Sequence, residues 1–471
     1  MFIKQLFTEC LSEFSYYIES DGTAAVIDPL RDVDEYLEIA KERNASIKYI
    51  FETHFHADFI SGHIELANVT NATIVFGPEC KARFKAVVGK DGDIFELGKT
   101  KIKLLHTPGH TLESSSYLLF DEQGKEKAVF TGDTLFVGEV GRPDLAQQSE
   151  ILTTNDLAAM LYDSITTQLT TLPDHVIIYP GHGKGRACGK NIGVEKESTI
   201  GEQKISNYAL LTPTKEDFIK AVISHLPEPP KYFSLNAQIN KDGYESLELI
   251  LEKGLKKVTI DEIKNKIREL DVVLLDTRPV KQFIDGYIPT SIFVGLEGRF
   301  AEWAANILPL NLPIIIIAEE GREKEAITRL ARVGIEKVEG FLAGGFDAWK
   351  NAEEKFDLII DIESDELAMD IPFDENLVVL DVRTEAEFGS GHLKQSMNIP
   401  LINLTDPGTM ADFDDNHNIY VHCAGGYRSV IACSLLKRQG IHNIRNVNGG
   451  WNAILLNKER FTIEKEGEIL N

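Results

Sequence analysis

The chain has 471 residues, 43% hydrophobic and 26% charged, which is the make-up of a folded globular protein too long for one ordinary core. Its 49 Lys and Arg stand against 74 Asp and Glu, a formal charge of -25, so nucleic acid and anionic membrane surfaces are excluded as expected partners. No apolar run is long enough to span a bilayer, the N-terminus shows no basic region followed by an apolar core, and Cys10, Cys80, Cys188, Cys423 and Cys433 form no CxxC pair; a reducing, cytoplasmic setting is expected.

From residue 1 to about 240, short apolar runs ("AAVIDP", "IKYIFETH", "ATIVFG", "KIKLLHTPGH", "KAVFTGDTLF", "HVIIYPGHG") alternate with helical stretches such as "DVDEYLEIAKERN". This alternation predicts an α/β fold. Each polar cluster follows directly on one of those runs, where a packed sheet holds ligand-bearing loops. Six metal donors stand at such places: His54, His56 and Asp58, then His110, Asp133 and His182. Any one of these histidines reads as a hydrogen-bonded structural residue. Six donors at strand ends instead point to a metal, because imidazole nitrogens and carboxylate oxygens bind borderline divalent cations. Phe59 follows Asp58 directly, and a phenyl ring donates nothing.

HxHxD, TPGHT, GD and PGHG in this order resemble the metallo-β-lactamase superfamily over about the first 240 residues. The resemblance implies an αββα sandwich over 1–243, ending in the proline-rich stretch "LPEPPKYFSLNAQINKDG". In the two-metal hydrolases of that family a histidine occupies the place of Phe59, so one metal is expected here instead of two. "THFHADFISGH", "TPGHT" and "GDTLFVGEVGRPDL" resemble the persulfide dioxygenases of the same superfamily. That implies one Fe(II) per chain on His54, His110 and Asp133, the two-histidine, one-carboxylate set with open positions. His56, Asp58 and His182 then orient those ligands. Arg142 and Asp144 of "GRPDL" either meet the substrate or form a plain ion pair. His63, a turn beyond Phe59, is expected on a helix surface. Cys188 lies among Lys184, Arg186 and Lys190, where a reactive thiol or an anion-binding mouth is conceivable and a structural cysteine is the simpler reading.

The second half repeats itself. "VVLLDTRPVKQFIDGYIP" (272–289) matches "LVVLDVRTEAEFGSGHLK" (377–394), and "GFLAGGFDAW" matches "NVNGGWNAI". Two small parallel α/β domains are expected, at 255–352 and 359–471. In the second, "VHCAGGYRS" joins a strand to a helix, so Cys423 sits at the positive end of a helix dipole. That depresses a thiol pKa; Gly425 and Gly426 let the backbone curl around an anion, and Arg428 closes the cradle. Only four residues separate Cys423 from Arg428, one too few for a phosphate-binding HCx5R loop. With "LDVR" upstream and "NGGW" downstream, the segment resembles a rhodanese sulfurtransferase domain with Cys423 as nucleophile. Asp381 and Arg383 of "LDVR" are expected as a structural pair. The first repeat resembles a rhodanese domain without its cysteine, its loop reading "AEEGREKE"; scaffolding is the role left to it.

Together these resemblances imply oxidation of a thiol persulfide by O2 to sulfite, followed by sulfur transfer through Cys423 giving thiosulfate, in a homo-oligomer. The rival expectations are a zinc thioester hydrolase like glyoxalase II with an appended rhodanese, and a non-catalytic sulfur carrier.

Overall fold

The computed structural model describes residues 1–146, 152–184, 192–193, 195–224, 226, 228–269, 272–411, 413 and 416–465. They form two compact units, one of Met1–Leu249 with the short turn Ala331–Gly334, the other running from Ile250 onward without that turn. Among the described residues no helix is long and apolar enough to cross a membrane.

The first unit is built on two six-stranded sheets. One contains β1 (Phe2–Thr8), β2 (Glu13–Ser20), β3 (Thr23–Ile27), β4 (Ser46–Phe51), β5 (Thr73–Phe76) and β6 (Val87–Val88), in that spatial order. The other runs β12-β11-β10-β9-β8-β7, from β7 (Ile94–Leu97), β8 (Thr100–His106), β9 (Ser115–Phe120) and β10 (Glu126–Gly132) to β11 (Ile177–Pro180) and β12 (Ser198–Thr199). Strands β2, β3 and β10 are buried through most of their length, and the pleat divides their side chains between two cores. From β2, Phe14, Tyr16 and Ile18 point between the sheets, against Leu104, Tyr117 and Phe130; Tyr17 points the other way. That outer face is covered by α1 (Asp34–Glu42) and α2 (His63–Thr70) through Tyr36, Ile39 and Leu66. The second sheet is covered likewise by α3 (Thr154–Ser164) and α4 (Lys215–Ile223), through Leu161, Phe218 and Val222. Three apolar layers between four structural layers make the αββα sandwich.

The second unit holds the two repeats, each a five-stranded parallel sheet. In the first, β13 (Lys257–Val258), β14 (Val273–Asp276), β15 (Ile292–Phe293), β16 (Ile314–Ile317) and β17 (Val338–Leu342) lie in the order β13-β17-β16-β14-β15. The second has β18 (Ile360–Ile362), β19 (Leu377–Asp381), β20 (Met397–Asn398), β21 (Asn418–His422) and β22 (Ile444–Val447), ordered β18-β22-β21-β19-β20. The topology is the same. Helices α5 (Val280–Asp285) and α6 (Glu323–Ala331) of the first copy correspond to α7 (Glu385–Gly389) and α8 (Tyr427–Arg438) of the second.

Both copies share one internal brace. Arg278 pairs bidentately with Asp276, donates to the Gly286 carbonyl at 2.8 Å and lies 4.2 Å over the Phe346 ring. Arg383 does the same with Asp381, the Gly391 carbonyl at 2.8 Å and Trp451 at 4.3 Å. The structural pairing expected for Asp381 and Arg383 is what the fold contains. Helix α8 is buried from Ser429 to Leu436 because the first repeat covers it too. The Tyr427 hydroxyl donates to the Gly295 carbonyl at 2.8 Å, and the Phe293 amide donates to Ser434 Oγ at 3.1 Å.

Candidate functional site

The six predicted donors come together where β4, β8, β10 and β11 end. His54, His110 and Asp133 are buried, and their ligand atoms lie within 4.8 Å of one another. Neighbouring groups fix how each presents itself. Thr53 Oγ1 lies 2.8 Å from Asp28 Oδ2, so its proton goes to that carboxylate; its oxygen, 3.0 Å from His54 Nδ1, then accepts. His54 is thereby protonated on Nδ1 and keeps its Nε2 lone pair. His110 Nδ1 is 2.9 Å from the Arg142 carbonyl, which only accepts, so its Nε2 lone pair is also free. Asp133 Oδ1 takes a hydrogen bond from His182 Nδ1 at 2.7 Å, while Oδ2 accepts none. Two imidazole lone pairs and an orphaned, buried carboxylate oxygen converge; such a donor set fits a divalent metal.

The other donors face elsewhere. His182 lies between two carboxylates, with Nδ1 2.7 Å from Asp133 Oδ1 and Nε2 2.8 Å from Asp58 Oδ2. Burial works against its charge, but Asp133 and Asp58 outweigh it and push the His182 pKa up to about 10. Phe59 is wholly buried, its ring 4.3 Å from that of His56. The donors of a second metal are therefore bound to one another beside an apolar ring. His56 turns to Asp28 (3.2 Å) and Glu52 (3.6 Å), a second buried group whose ligand atoms also lie within 4.8 Å of one another. Against the cost of burial, Asp28 and Glu52 raise its pKa to about 9.

Gly141 is one of the glycines this site requires. A Cβ on Gly141 would fall 1.8 Å from the Asp133 carbonyl oxygen and 3.1 Å from His110 Nδ1. The next residue, Arg142, thereby brings its carbonyl to His110. Its guanidinium is buried and doubly bonded to Asp144 at 2.7 and 2.8 Å.

His63 departs from expectation. It is fully buried, not on a surface: its ring stacks on Phe84 at 4.8 Å, and Nδ1 lies 3.4 Å from Glu52 Oε1. Burial holds its pKa down at about 3. Sequence reasoning also passed over Asp28 and Glu52, although each directly follows a strand as the named donors do. Glu13, buried beside His182 with neither oxygen hydrogen-bonded, gave no signal at all. Cys188 and its neighbours Arg186 and Lys190 lie outside the described residues.

In the second repeat Cys423 is buried directly after β21, and the Gly426 amide donates to its Sγ at 3.1 Å. Gly426 has φ +94°, a left-handed turn that starts α8 and that a side chain would strain. The "NGGW" segment closes the loop from behind, Trp451 N donating to the Cys423 carbonyl at 2.6 Å and Asn452 N to that of Ala424 at 3.0 Å. Gly425 is exposed at the rim. Arg428 was expected over the anion. Its guanidinium is instead held by Glu387, both bonds 2.7 Å, because Glu387 is fixed in place as the α7 cap by the Thr384 amide at 2.9 Å. The pair holds the Glu387 carboxyl down at about 2.

The same strand-to-helix position in the first repeat has Ala318, Glu319, Glu320 and Gly321 (φ +86°) in place of Cys423 to Gly426. A cavity of about 550 Å³ opens there, lined by Lys257, Arg278, Glu319, Glu320, Glu323 and Asp347 among others.

Residues 8–182 match the family model of the metallo-beta-lactamase superfamily, and residues 259–352 and 364–457 each match that of rhodanese-like domains. A metallo-beta-lactamase crystal structure from Staphylococcus aureus subsp. aureus COL is 30% identical, with a TM-score of 0.64, over 72% of this chain and 98% of that one. The cytoplasmic hydroxyacylglutathione hydrolase of Arabidopsis thaliana is 34% identical over 37% of this chain; the match spans only 65% of the plant protein's own length. The mitochondrial persulfide dioxygenase ETHE1 of Bos taurus is 27% identical over 48% of this chain and 83% of that protein.

Proposed function

Since this chain belongs to the metallo-beta-lactamase superfamily and carries two rhodanese-like domains behind that fold, we propose that it is a persulfide dioxygenase coupled to a sulfurtransferase. One observation carries the reading. His182 is hydrogen-bonded to Asp133 and lies 2.8 Å from Asp58 Oδ2, so these donors serve one another, and Phe59 donates nothing; His54, His110 and Asp133 Oδ2 are left as an open donor set. That set suits one Fe(II). Held by His54, His110 and Asp133, ferrous iron would supply the redox chemistry for oxidation by dioxygen. In net terms RSSH, O2 and water give RSH and sulfurous acid, which ionises to sulfite.

The protein's own part is orientation. Thr53 and the Arg142 carbonyl fix the tautomers of His54 and His110, and His182 keeps Asp133 ionised. In the second repeat, the Cys423 thiolate attacks the outer sulfur of a thiol persulfide, releasing RSH and forming a cysteine persulfide. Sulfite then attacks that sulfane sulfur. A new S–S bond forms, the bond to Sγ breaks, and thiosulfate departs as Cys423 leaves as a thiolate. The Gly426 amide at 3.1 Å stabilises that leaving charge.

A zinc thioester hydrolase is the second reading, favoured by the 34% identity to the plant hydroxyacylglutathione hydrolase. Metal analysis after anaerobic purification separates the two. The expected result is iron near one equivalent, lost together with persulfide-dependent O2 uptake in His54→Ala and Asp133→Ala. His56→Ala, one contact removed from the open donors, should lose only about 10–100-fold. Two tightly held zinc ions per chain with thioester cleavage would establish the hydrolase instead.

A further inference from the structure

The acid that holds Arg428 is not required by the fold. In the first repeat the matching residue is Gln282, whose amide donates to Glu319 at 2.9 Å. The first repeat's helix forms with no such cap, since Pro279 stands where Thr384 does and offers no N–H; in the second repeat a glutamine oxygen would still accept the bonds from Thr384. The carboxylate of Glu387 therefore adds something beyond the cap: a full charge placed against Arg428 at the rim of the cysteine loop. That pair is only partly buried, the side chains keeping 17% and 36% of their exposure, so a solute oxoanion can compete for the guanidinium. Arg383 of the internal brace is already closed on Asp381 and the Gly391 carbonyl.

We infer that Glu387 is a specificity-determining residue of the cysteine loop, an internal competitor that keeps Arg428 from doubly charged sulfur oxoanions. Thiosulfate must displace a carboxylate that is itself anchored by Thr384. A thiol persulfide needs only the Gly426 amide for its sulfur and has no second charge to place. The loop thus takes sulfur readily from persulfides and holds thiosulfate weakly. This rests on the reading of Cys423 as a sulfurtransferase nucleophile.

The full-length protein is assayed with thiosulfate as sulfur donor and cyanide as acceptor. Cys423 thiolate takes the outer sulfur of thiosulfate, releasing sulfite, and cyanide removes it as thiocyanate. Glu387→Gln should lower the KM for thiosulfate about tenfold, the worth of one charge-assisted bond regained, with kcat changed less than about twofold. The KM for cyanide, a monoanion acting at the sulfur, should not move. In Arg428→Ala the further change Glu387→Gln should have no effect, since the competition has lost its object. An unchanged or raised thiosulfate KM in Glu387→Gln overturns the inference. A parent protein that forms no thiocyanate, although iodoacetamide alkylates Cys423, overturns the sulfurtransferase reading beneath it.

Discussion

The two repeats have the same strand order, the same Asp–Arg brace and the same left-handed glycine ahead of the helix, yet they present opposite chemistry. In one loop a cysteine lies under a backbone amide, with Arg428 and Glu387 at its rim. In the other, Ala318 stands where the cysteine would be, and Glu323 stands where Arg428 would be. The braces sit beneath the loops and are indifferent to what the loops hold. The difference teaches that this frame tolerates loss of the nucleophile because its stability lies in the sheet, not in the loop. What the first repeat keeps is its packing: β15 and the Gly295 carbonyl still hold the helix that follows Cys423.

The sharpest way to break the comparison is to exchange the cysteine. Cys423→Ser should lower sulfur transfer by at least about a thousandfold, because a hydroxyl forms no persulfide, while O2 uptake persists and sulfite accumulates in place of thiosulfate. Adding Ala318→Cys to that variant should restore nothing, since Glu319, Glu320 and Glu323 surround the new thiol with negative charge. Thiocyanate formation by the double variant would mean that the acidic loop is competent and only the sulfur atom is missing.

A smaller effect tests whether the first repeat supports the second. Tyr427→Phe removes the hydrogen bond to the Gly295 carbonyl and should cost about 1 kcal/mol in denaturant unfolding of the full chain. Chain-wide stability equal to the parent's would show that the covering of α8 does not depend on that bond. The smallest effect concerns acid. Glu387 titrates at about 2 in the fold against 4.5 when unperturbed, so its pairing contributes fully above pH 4.5 and fades as the pH falls toward 2. The partial exposure of the pair keeps the contribution small. In Glu387→Gln the acid limb of the stability profile should flatten over that window, with the neutral-pH value little altered.

Much of this was legible in the chain of letters. The donors follow apolar runs because strands deliver loops, and Phe59 stands out because one letter breaks a metal pattern. The repeat and its acidic loop are equally plain. Other things were not, Asp28, Glu52 and Glu13 among them. His63 reads as a helical surface residue, yet Phe84 and Glu52, brought from other elements, bury it. Arg428 reads as an anion clamp, and only the turn at Thr384, far away in sequence, shows that Glu387 reaches it first. His56 looks identical to His54 in the motif, and only the family resemblance set them apart; in the fold Asp28, at the end of a different strand, does so. Local pattern carries the types of residue present, while long-range packing decides which of them face each other.

The Asp58–His182–Asp133 chain has a consequence for how the protein meets scarcity. An imidazolium held between two carboxylates does the electrostatic work of a cation, but it is covalently part of the polypeptide. On the proposed reading, a chelator should empty only the open donors, because no exchangeable ion holds this half of the centre together. His182 holds Asp133 Oδ1 from behind at 2.7 Å, so the orientation of that side chain does not depend on a bound ion. On the same reading, one ion would complete the centre.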